Sequence, residues 1–299
     1  MSGTFCPSQD IEVVTEGDIC RARLVTQASG CEKCHGREGF FVRDDDGYQV
    51  FSPCDLRLAR QRVALFNAAS IGRRYVNATF ETYMPQNKAQ REALQRAQDF
   101  GRFFRKPPKT GAASKRRDFR PAPAHGGLLF WGTVGTGKTH LALAIFRDLT
   151  LKRGIPCLFV DYGHLLMDLR RSFEARAGTT EAALMLPLVN AEVLIVDELG
   201  KGRNTDWELT VLDDLISRRY NANRVTLFTT NLSAEPASRA KGLNPSADRR
   251  AQDAIGKGPP TLEERLESRI YSRIREMCEV VHVPGSDFRQ TGLTVSRTR

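Results

Sequence analysis

The residues with the clearest chemistry lie between positions 132 and 140. Residues 132–139 fit G-x-x-x-x-G-K-[ST], the pattern of a phosphate-binding loop. Glycines let such a loop curl so that backbone N–H groups point at phosphate oxygens, while the lysine adds charge and the threonine hydroxyl binds Mg²⁺. We therefore predict an ATP site formed by Gly132, Thr133, Val134, Gly135, Thr136, Gly137, Lys138, Thr139 and His140.

The segments on either side of the loop have the periodicity that this site requires. Leu128–Trp131 is apolar throughout, which is typical of a strand buried on both faces. From His140 to Arg153 apolar residues recur at helical spacing, and Gly154 follows as a stop signal. Such a helix would direct the positive end of its dipole at the phosphates. This context favours an ATP site over a glycine-rich turn that binds nothing.

A second group of polar residues follows two later apolar runs. Asp197 and Glu198 come after four apolar residues, and Asn231 comes after another strand-like segment. Ligands bind at the carboxyl ends of parallel strands, so we expect Asp197 to bind Mg²⁺ together with Thr139. Glu198 would orient and polarise the attacking water, and Asn231 would hold that water or the γ-phosphate. The alternative is a polar turn and a cap without catalytic roles.

Four motifs together resemble those of the AAA+ ATPases of the DnaC/DnaI helicase-loader and IstB group: residues 132–139, 194–200, 229–231 and 272–278. The resemblance runs from about Ile71 to Arg289. It implies an α/β fold, an AAA+ P-loop NTPase core with a parallel five-stranded sheet in the order 5-1-4-3-2, and an ATP-dependent homo-oligomer. It also makes Asp197 part of Walker B, Glu198 the catalytic glutamate and Asn231 the first sensor.

Three arginines receive roles from the same resemblance. Arg273 resembles the arginine finger that reaches the γ-phosphate of a neighbouring subunit, and such a finger contributes about 10³–10⁵ in rate. Arg269, one helical turn earlier on the same face, is a competing assignment. Arg289 resembles the arginine of the second sensor.

The resemblance also suggests contacts with single-stranded DNA. In such loaders an aromatic residue ending the helix after strand two, and hydroxyl and aromatic residues after Walker B, face DNA. The matching positions are Phe173, Thr205 and Trp207, with Arg170 and Arg171 nearby. Aromatic stacking plus a cationic track holds single strands without reading their sequence. The alternative is that Phe173 and Trp207 are core residues.

Cysteines are concentrated near the start of the chain. Five of the seven lie within the first 54 residues: Cys6, Cys20, Cys31, Cys34 and Cys54. Disulfides are unusual in the cytosol, so this concentration indicates a metal site. Phe40–Val42 and Tyr48–Phe51 predict a β-hairpin, which would bring Cys54 back to the C-x-x-C pair.

A structural zinc site needs four ligands. We predict that Cys31, Cys34, Cys54 and Cys20 bind zinc, with His35 and Cys6 as the other candidates for the fourth position. A small module also needs such a staple, because its own core is small. The alternatives are a redox pair or reduced thiols without a metal.

Composition divides the chain into three predicted regions. These are a Cys-rich partner-binding module at 1–68, a helical segment with a basic linker at 69–126, and the AAA+ ATPase domain at 127–299. We expect residues 234–260, which are polar and rich in Gly and Pro, to be partly disordered. The net charge of +10 favours polyanionic partners. No leader or membrane-length apolar run is visible, so we expect a cytoplasmic protein without a membrane partner.

These features predict an ATP-dependent replicative helicase loader. The N-terminal module would bind the helicase, and the AAA+ ring would bind ATP and single-stranded DNA. The nearest alternative is an IstB-like transposition helper that acts on duplex DNA with a transposase. A non-hydrolysing adaptor is less consistent with Glu198 and Arg273, and a small-molecule kinase is less consistent with residues that suit water as the nucleophile.

Overall fold

The computed structural model describes residues 10–25, 34–44, 47–104, 126–174, 181–235 and 260–289. Its strands and α-helices within these ranges are, in chain order, β1 (Ile11–Glu16), β2 (Ile19–Leu24), β3 (Gly39–Arg43), β4 (Gln49–Pro53), α1 (Asp55–Ala68), α2 (Lys88–Phe103), β5 (Gly127–Trp131), α3 (Lys138–Arg147), β6 (Cys157–Asp161), α4 (Tyr162–Glu174), α5 (Glu181–Asn190), β7 (Val193–Asp197), α6 (Asp206–Asn221), β8 (Val225–Thr230), α7 (Leu262–Met277) and β9 (Cys278–His282). None of the described helices is long and apolar enough to span a membrane.

A five-stranded sheet carries the residues predicted to bind ATP. Its order is β6-β7-β8-β5-β9, and β5 runs parallel to both β8 and β9, as β7 does to β8. Counted from β5 as the first strand, this is the predicted order 5-1-4-3-2, which is confirmed. β5 and β7 are buried along their whole length, because every position on a doubly covered strand faces a helix layer. The loop after β5 and the acidic residues after β7 consequently lie at the same edge of the sheet.

Arg219 on α6 joins the α5–β7 connection to the start of β8. Its side chain is fully buried and donates to the carbonyls of Leu188 and Ala191 at 2.6 and 3.0 Å, and to the hydroxyl of Thr226 at 2.9 Å. Burial lowers the pKa of Arg219 to about 9, so it is protonated at pH 7. Carbonyl and hydroxyl dipoles stabilise this buried cation.

The helix α7 begins with a capping box but is not continuous. The Thr261 hydroxyl accepts the N–H of Glu264, and the Glu264 carboxylate accepts the N–H of Thr261, so both ends of the capping box are formed. Glu267 then has φ 64° and ψ 150°, outside the helical region. The helix is therefore kinked one position after the buried Leu266, a feature that its apolar periodicity does not reveal.

Contacts group the chain into two units: 1–78 with 146–157, and 79–145 with 158–299. The predicted boundaries near 68 and 126 stay predictions. In the first unit, the β3–β4 hairpin is confirmed, with Phe41 opposite Phe51. The β1–β2 hairpin is not predicted, although its alternating apolar residues and Gly17 at φ 58° are the usual hairpin signals. The stretches 105–125 and 236–259, which include most of the predicted basic linker and of the insertion, lie outside the described residues.

Candidate active site

The phosphate-binding loop joins β5 to α3, as its motif predicts. Gly135 and Gly137 have φ values of 79° and 89°, a region that favours glycine. A Cβ atom at Gly137 would lie 2.5 Å from the ring of Tyr83, so a side chain has no room there. The helix α3 begins at Lys138, which places the N–H groups of its first turn at the end of the loop.

Lys138 points back across the loop. Its side chain is buried, and Nζ donates to the carbonyl of Thr133 at 2.6 Å. Burial lowers the pKa of Lys138 to about 8, although the nearby carboxylates of Asp197 and Glu198 act in the opposite direction. The ammonium group is therefore held where a loop of this kind binds phosphate.

Thr139 and Asp197 meet between the loop and the end of β7. The Thr139 hydroxyl donates to Oδ1 and Oδ2 of Asp197 at 2.8 and 3.1 Å. The hydroxyl of Thr229 on β8 also donates to Oδ1, a partner that no sequence signal indicates. Burial raises the pKa of Asp197, and these hydrogen bonds lower it. A hydroxyl and a carboxylate in contact are a ligand pair that suits Mg²⁺, so the residues present fit Mg-ATP.

Glu198 follows Asp197 in a left-handed backbone conformation, with φ 57°. Its N–H donates to the Thr229 hydroxyl at 3.0 Å, and its carboxylate pairs with the ammonium group of Lys201. Asn231 comes directly after β8 and is exposed. The structure thus places the predicted catalytic glutamate and first sensor at the ends of adjacent strands.

A segment before α2 packs against the loop. The Tyr83 hydroxyl donates to the Thr136 carbonyl at 3.1 Å. His140, which we predicted to contact the nucleotide, has Nε2 2.7 Å from the Thr79 carbonyl, and its ring packs edge-on against Tyr83. Sequence reasoning did not identify Tyr83, because no motif marks it.

A second segment, residues 284–289 after β9, also packs against the loop. The Thr133 hydroxyl donates to the Gly285 carbonyl at 3.0 Å, and the Phe288 N–H donates to the Gly135 carbonyl at 3.1 Å. Arg289 Nε donates to Asp287 Oδ1 at 2.9 Å, and the Asp287 carboxylate lies against the α-carbon of Gly135. The predicted second-sensor arginine is therefore near the phosphate-binding residues.

The predicted arginine finger is held on a different surface. Arg273 Nη1 donates to Asp213 Oδ1 and to the Ser217 hydroxyl, both at 2.7 Å. Arg269 approaches Asp213 Oδ2 at 3.5 Å. Both arginines thus face α6 of their own chain, and Arg269 is the more exposed of the two.

The residues predicted to contact DNA lie partly around Glu208. The Arg170 guanidinium lies 5.2 Å from the ring centroid of Trp207 and donates to Glu208 at 2.6 Å. Thr205 caps α6 by accepting the N–H of Glu208, and Trp207 is partly buried against the core. The exposed Arg171 is 3.7 Å from Asp168. Phe173 lies in α4, but its side chain falls outside the description.

The predicted zinc ligands are brought together only in part. Cys34 and Cys54 belong to one buried cluster, as the hairpin predicts. The Cys20 thiol instead donates to the Gly72 carbonyl at 3.3 Å, and burial raises its pKa. Cys31 and Cys6 lie outside the described residues, and no three potential ligands cluster within those residues. The described residues alone therefore do not form a zinc site.

Comparisons with known proteins agree with this geometry. Residues 124–240 match the family described as IstB-like ATP binding protein. The replicative helicase loader DnaC of Escherichia coli (strain K12) is 28% identical over 177 residues, which are 59% of this chain and 64% of that protein. The match to DnaC of Buchnera aphidicola subsp. Schizaphis graminum is also 28% identical, over 53% of this chain and 57% of that protein. The chain thus spans less than two thirds of these relatives.

A solved structure described as the DnaC helicase loader is also similar. It is 30% identical, and the match covers 70% of this chain and 98% of the solved chain, with a TM-score of 0.51. The chain therefore belongs to the IstB/DnaC group of AAA+ proteins.

Proposed function

We propose that this chain is an ATP-dependent loader of a replicative helicase that binds Mg-ATP and hydrolyses it. The contact of Thr139 with Asp197 carries the ATP part of this proposal, because it joins the phosphate-binding loop to the Walker B strand. Similarity to proteins named replicative helicase loader supports the partner. The cytoplasmic location predicted from the sequence is part of the same proposal.

Each residue at the edge of the sheet has a distinct task in hydrolysis. Backbone N–H groups of the loop and the Lys138 ammonium bind the phosphates, while Thr139 and Asp197 hold the magnesium ion. Bound magnesium neutralises charge that develops on the phosphates. Glu198 accepts a proton from the attacking water, and this requires its carboxylate to leave Lys201.

We also propose that the chain hydrolyses ATP as a homo-oligomer with sites shared between neighbouring subunits. Complementation between two inactive variants tests this. Arg273→Ala should hydrolyse ATP poorly, because the arginine acts on a neighbour's γ-phosphate, and Lys138→Ala should lose its own ATP. Mixed together, these chains form interfaces that combine an intact Lys138 with an intact Arg273, so hydrolysis should return. The parallel mixture with Arg269→Ala decides between the two arginines. No recovery in either mixture would contradict a shared site.

The exposed β3–β4 hairpin supports a protein partner for the N-terminal module. Five large apolar side chains are exposed there: Phe41, Val42, Tyr48, Val50 and Phe51. Arg57 lies over the Phe51 ring, with its guanidinium 5.6 Å from the ring centroid. Aromatic residues and arginine are enriched in protein interfaces, and a contiguous exposed apolar patch marks such a site. We propose that this hairpin contacts the helicase.

Retention by an immobilised replicative helicase tests the hairpin in the full chain. We expect the native chain to be retained and the double variant Phe41→Ser/Tyr48→Ser to be lost. Leu186→Ser is the matched control, because it removes an exposed apolar side chain from α5 instead. Retention of the native chain by an immobilised transposase, and not by the helicase, would favour the IstB-like transposition helper.

The proposal includes single-stranded DNA as a ligand of the AAA+ unit. The Arg170–Trp207 pair supplies a cationic and an aromatic group at the start of α6, and the exposed Arg171 adds a cation on α4. Fluorescent oligothymidine should bind more tightly than duplex of the same length, and Arg171→Ala should weaken that binding. Preference for duplex would instead agree with the IstB-like alternative.

The zinc site is the remaining part of the proposal. Cys34 and Cys54 lie in one buried cluster, and Cys31 is three positions from Cys34 in the sequence. Metal analysis of the purified chain should give about one zinc per chain, lost in Cys34→Ser. A metal-free native chain would leave these thiols as reduced core residues.

A further inference from the structure

Asp287 packs directly onto the phosphate-binding loop. A Cβ atom at Gly135 would lie 2.0 Å from its Oδ1 atom, so the carboxylate covers the bare α-carbon of a loop glycine. The neighbouring Phe288 N–H donates to the Gly135 carbonyl at 3.1 Å, and Gly285 accepts the Thr133 hydroxyl. These contacts fix the turn that carries Asp287 against the loop.

The same carboxylate binds Arg289 twice. Asp287 Oδ1 accepts the backbone N–H of Arg289 and its Nε–H, both at 2.9 Å. The Asp287 side chain is 19% exposed, whereas that of Arg289 is 64% exposed. A long exposed arginine samples many rotamers, and a bond at Nε together with one at its own backbone restricts the guanidinium to few of them.

We propose that Asp287 is a positioning residue that holds Arg289 beside the phosphate-binding loop, where its guanidinium binds the terminal phosphate of ATP. This rests on the proposed ATP site. Arg289 Nε donates to Asp287 Oδ1 at 2.9 Å, and the Asp287 carboxylate lies against Gly135, so the guanidinium is held next to the loop. Holding the guanidinium in place before ATP arrives reduces the entropy lost when the phosphate is bound.

The charge of Asp287 has a second, opposing effect. A carboxylate next to the loop repels the phosphates of the nucleotide, which would weaken the binding of ATP and ADP alike. The carboxylate is already paired with Arg289, so the pair has little net charge at a distance. We therefore expect positioning to exceed repulsion, and the sign of the effect of Asp287→Asn decides between them.

The test uses full-length chains and equilibrium titration with fluorescent ATP and ADP analogues. Asp287→Asn should weaken ATP binding by about tenfold, the loss expected for one charge-assisted contact, and ADP binding by less than about threefold. In an Arg289→Ala background the same substitution should change ATP binding by less than about twofold. Asp287→Ala, which removes both acceptor oxygens, should weaken ATP binding at least as much as Asp287→Asn does.

Asp214→Asn is the matched control, because Asp214 is another carboxylate that accepts an arginine Nε–H, from Arg218 at 2.8 Å within α6. It should leave ATP binding unchanged, and thermal unfolding should show that every variant is folded. Unchanged or tighter ATP binding by Asp287→Asn would overturn the positioning role. So would a tenfold loss of ATP affinity when Asp287→Asn is made in the Arg289→Ala background. Failure of the native chain to bind ATP would instead overturn the proposed function itself.

Discussion

Two regions differ in how their notable side chains are placed. One is the nucleotide edge of the sheet, which comprises the loop at 132–139 and the residues that follow β7 and β8; the other is the β3–β4 hairpin. At the edge, Lys138 and Asp197 are buried, and each has hydrogen-bond or charged partners within its own unit. On the hairpin, Phe41 and Tyr48 are apolar side chains that are each 72% exposed. Buried polar groups must be paired to be tolerated, whereas exposed aromatic groups carry no such requirement.

The difference shows in which region the functional groups already have partners. Under the proposed function, the edge binds phosphate and magnesium with groups that are paired within their own unit, and a neighbouring chain adds one arginine. The hairpin exposes large apolar side chains of the kind that mark interaction sites, which is why we propose that it contacts another protein. Substitutions at the edge should therefore change nucleotide chemistry in the isolated chain, and substitutions on the hairpin should not.

The largest effect is expected for Lys138→Ala. Removing a buried ammonium from the loop should weaken ATP binding by at least about a hundredfold, because a charge-assisted contact to the phosphates is lost. Equilibrium titration measures this, with Lys152→Ala as the control for an exposed lysine after the same helix. If Lys138→Ala bound ATP as tightly as the native chain, the edge of the sheet would not be the nucleotide site. The proposed difference in function between the edge and the hairpin would then fail.

Replacing one aromatic residue in the central sheet and one on the hairpin compares how much each region contributes to the free energy of unfolding. Phe130→Ala in the fully buried strand β5 should lower the free energy of unfolding by about 3–5 kcal/mol, because it leaves a cavity. Tyr48→Ala on the hairpin should change it by less than about 0.5 kcal/mol. Urea unfolding measures both, and comparable losses would show that the hairpin is part of a core.

A smaller effect is expected from pH. The pKa of Lys138 is lowered to about 8, so its ammonium form declines as the pH rises through 8. ATP affinity should be constant between about pH 6 and 7 and fall by up to about tenfold per unit above pH 8. The free energy of unfolding should change in the other direction and rise with pH. Burying the ammonium form of Lys138 is unfavourable, and that penalty disappears between pH 8 and 10.5. An ATP affinity that does not change between pH 7 and 10 would show that the Lys138 ammonium does not contact the phosphates.

The sequence predicts most of the nucleotide edge and little of what surrounds it. Motif spacing and apolar runs located the loop, Asp197 and Glu198, because local pattern determines them. The strand order was implied by the resemblance to AAA+ ATPases, and the structure confirms it. Tyr83 and Asp287 were missed as contacts of the loop, because they reach it from distant parts of the chain and belong to no periodic pattern. The kink at Glu267 was missed because the apolar spacing continues across it.

The same limit applies to the N-terminal module. The β3–β4 hairpin and the proximity of Cys34 and Cys54 follow from alternation and turn residues, and both are confirmed. Cys20 was assigned by cysteine content alone, and its thiol is directed to Gly72 instead. Composition can indicate a metal module, but only three-dimensional structure assigns a ligand that lies far along the chain.

Hydrolysis by Glu198→Gln tests the central claim most directly, provided that ATP affinity and steady-state turnover are measured on the same samples. An amide cannot accept a proton from water, yet it preserves the shape of the side chain at the end of β7. We predict ATP affinity within about threefold of native and hydrolysis slowed by at least about a hundredfold. Turnover at the native rate would contradict the claim that this edge of the sheet is the site of ATP hydrolysis.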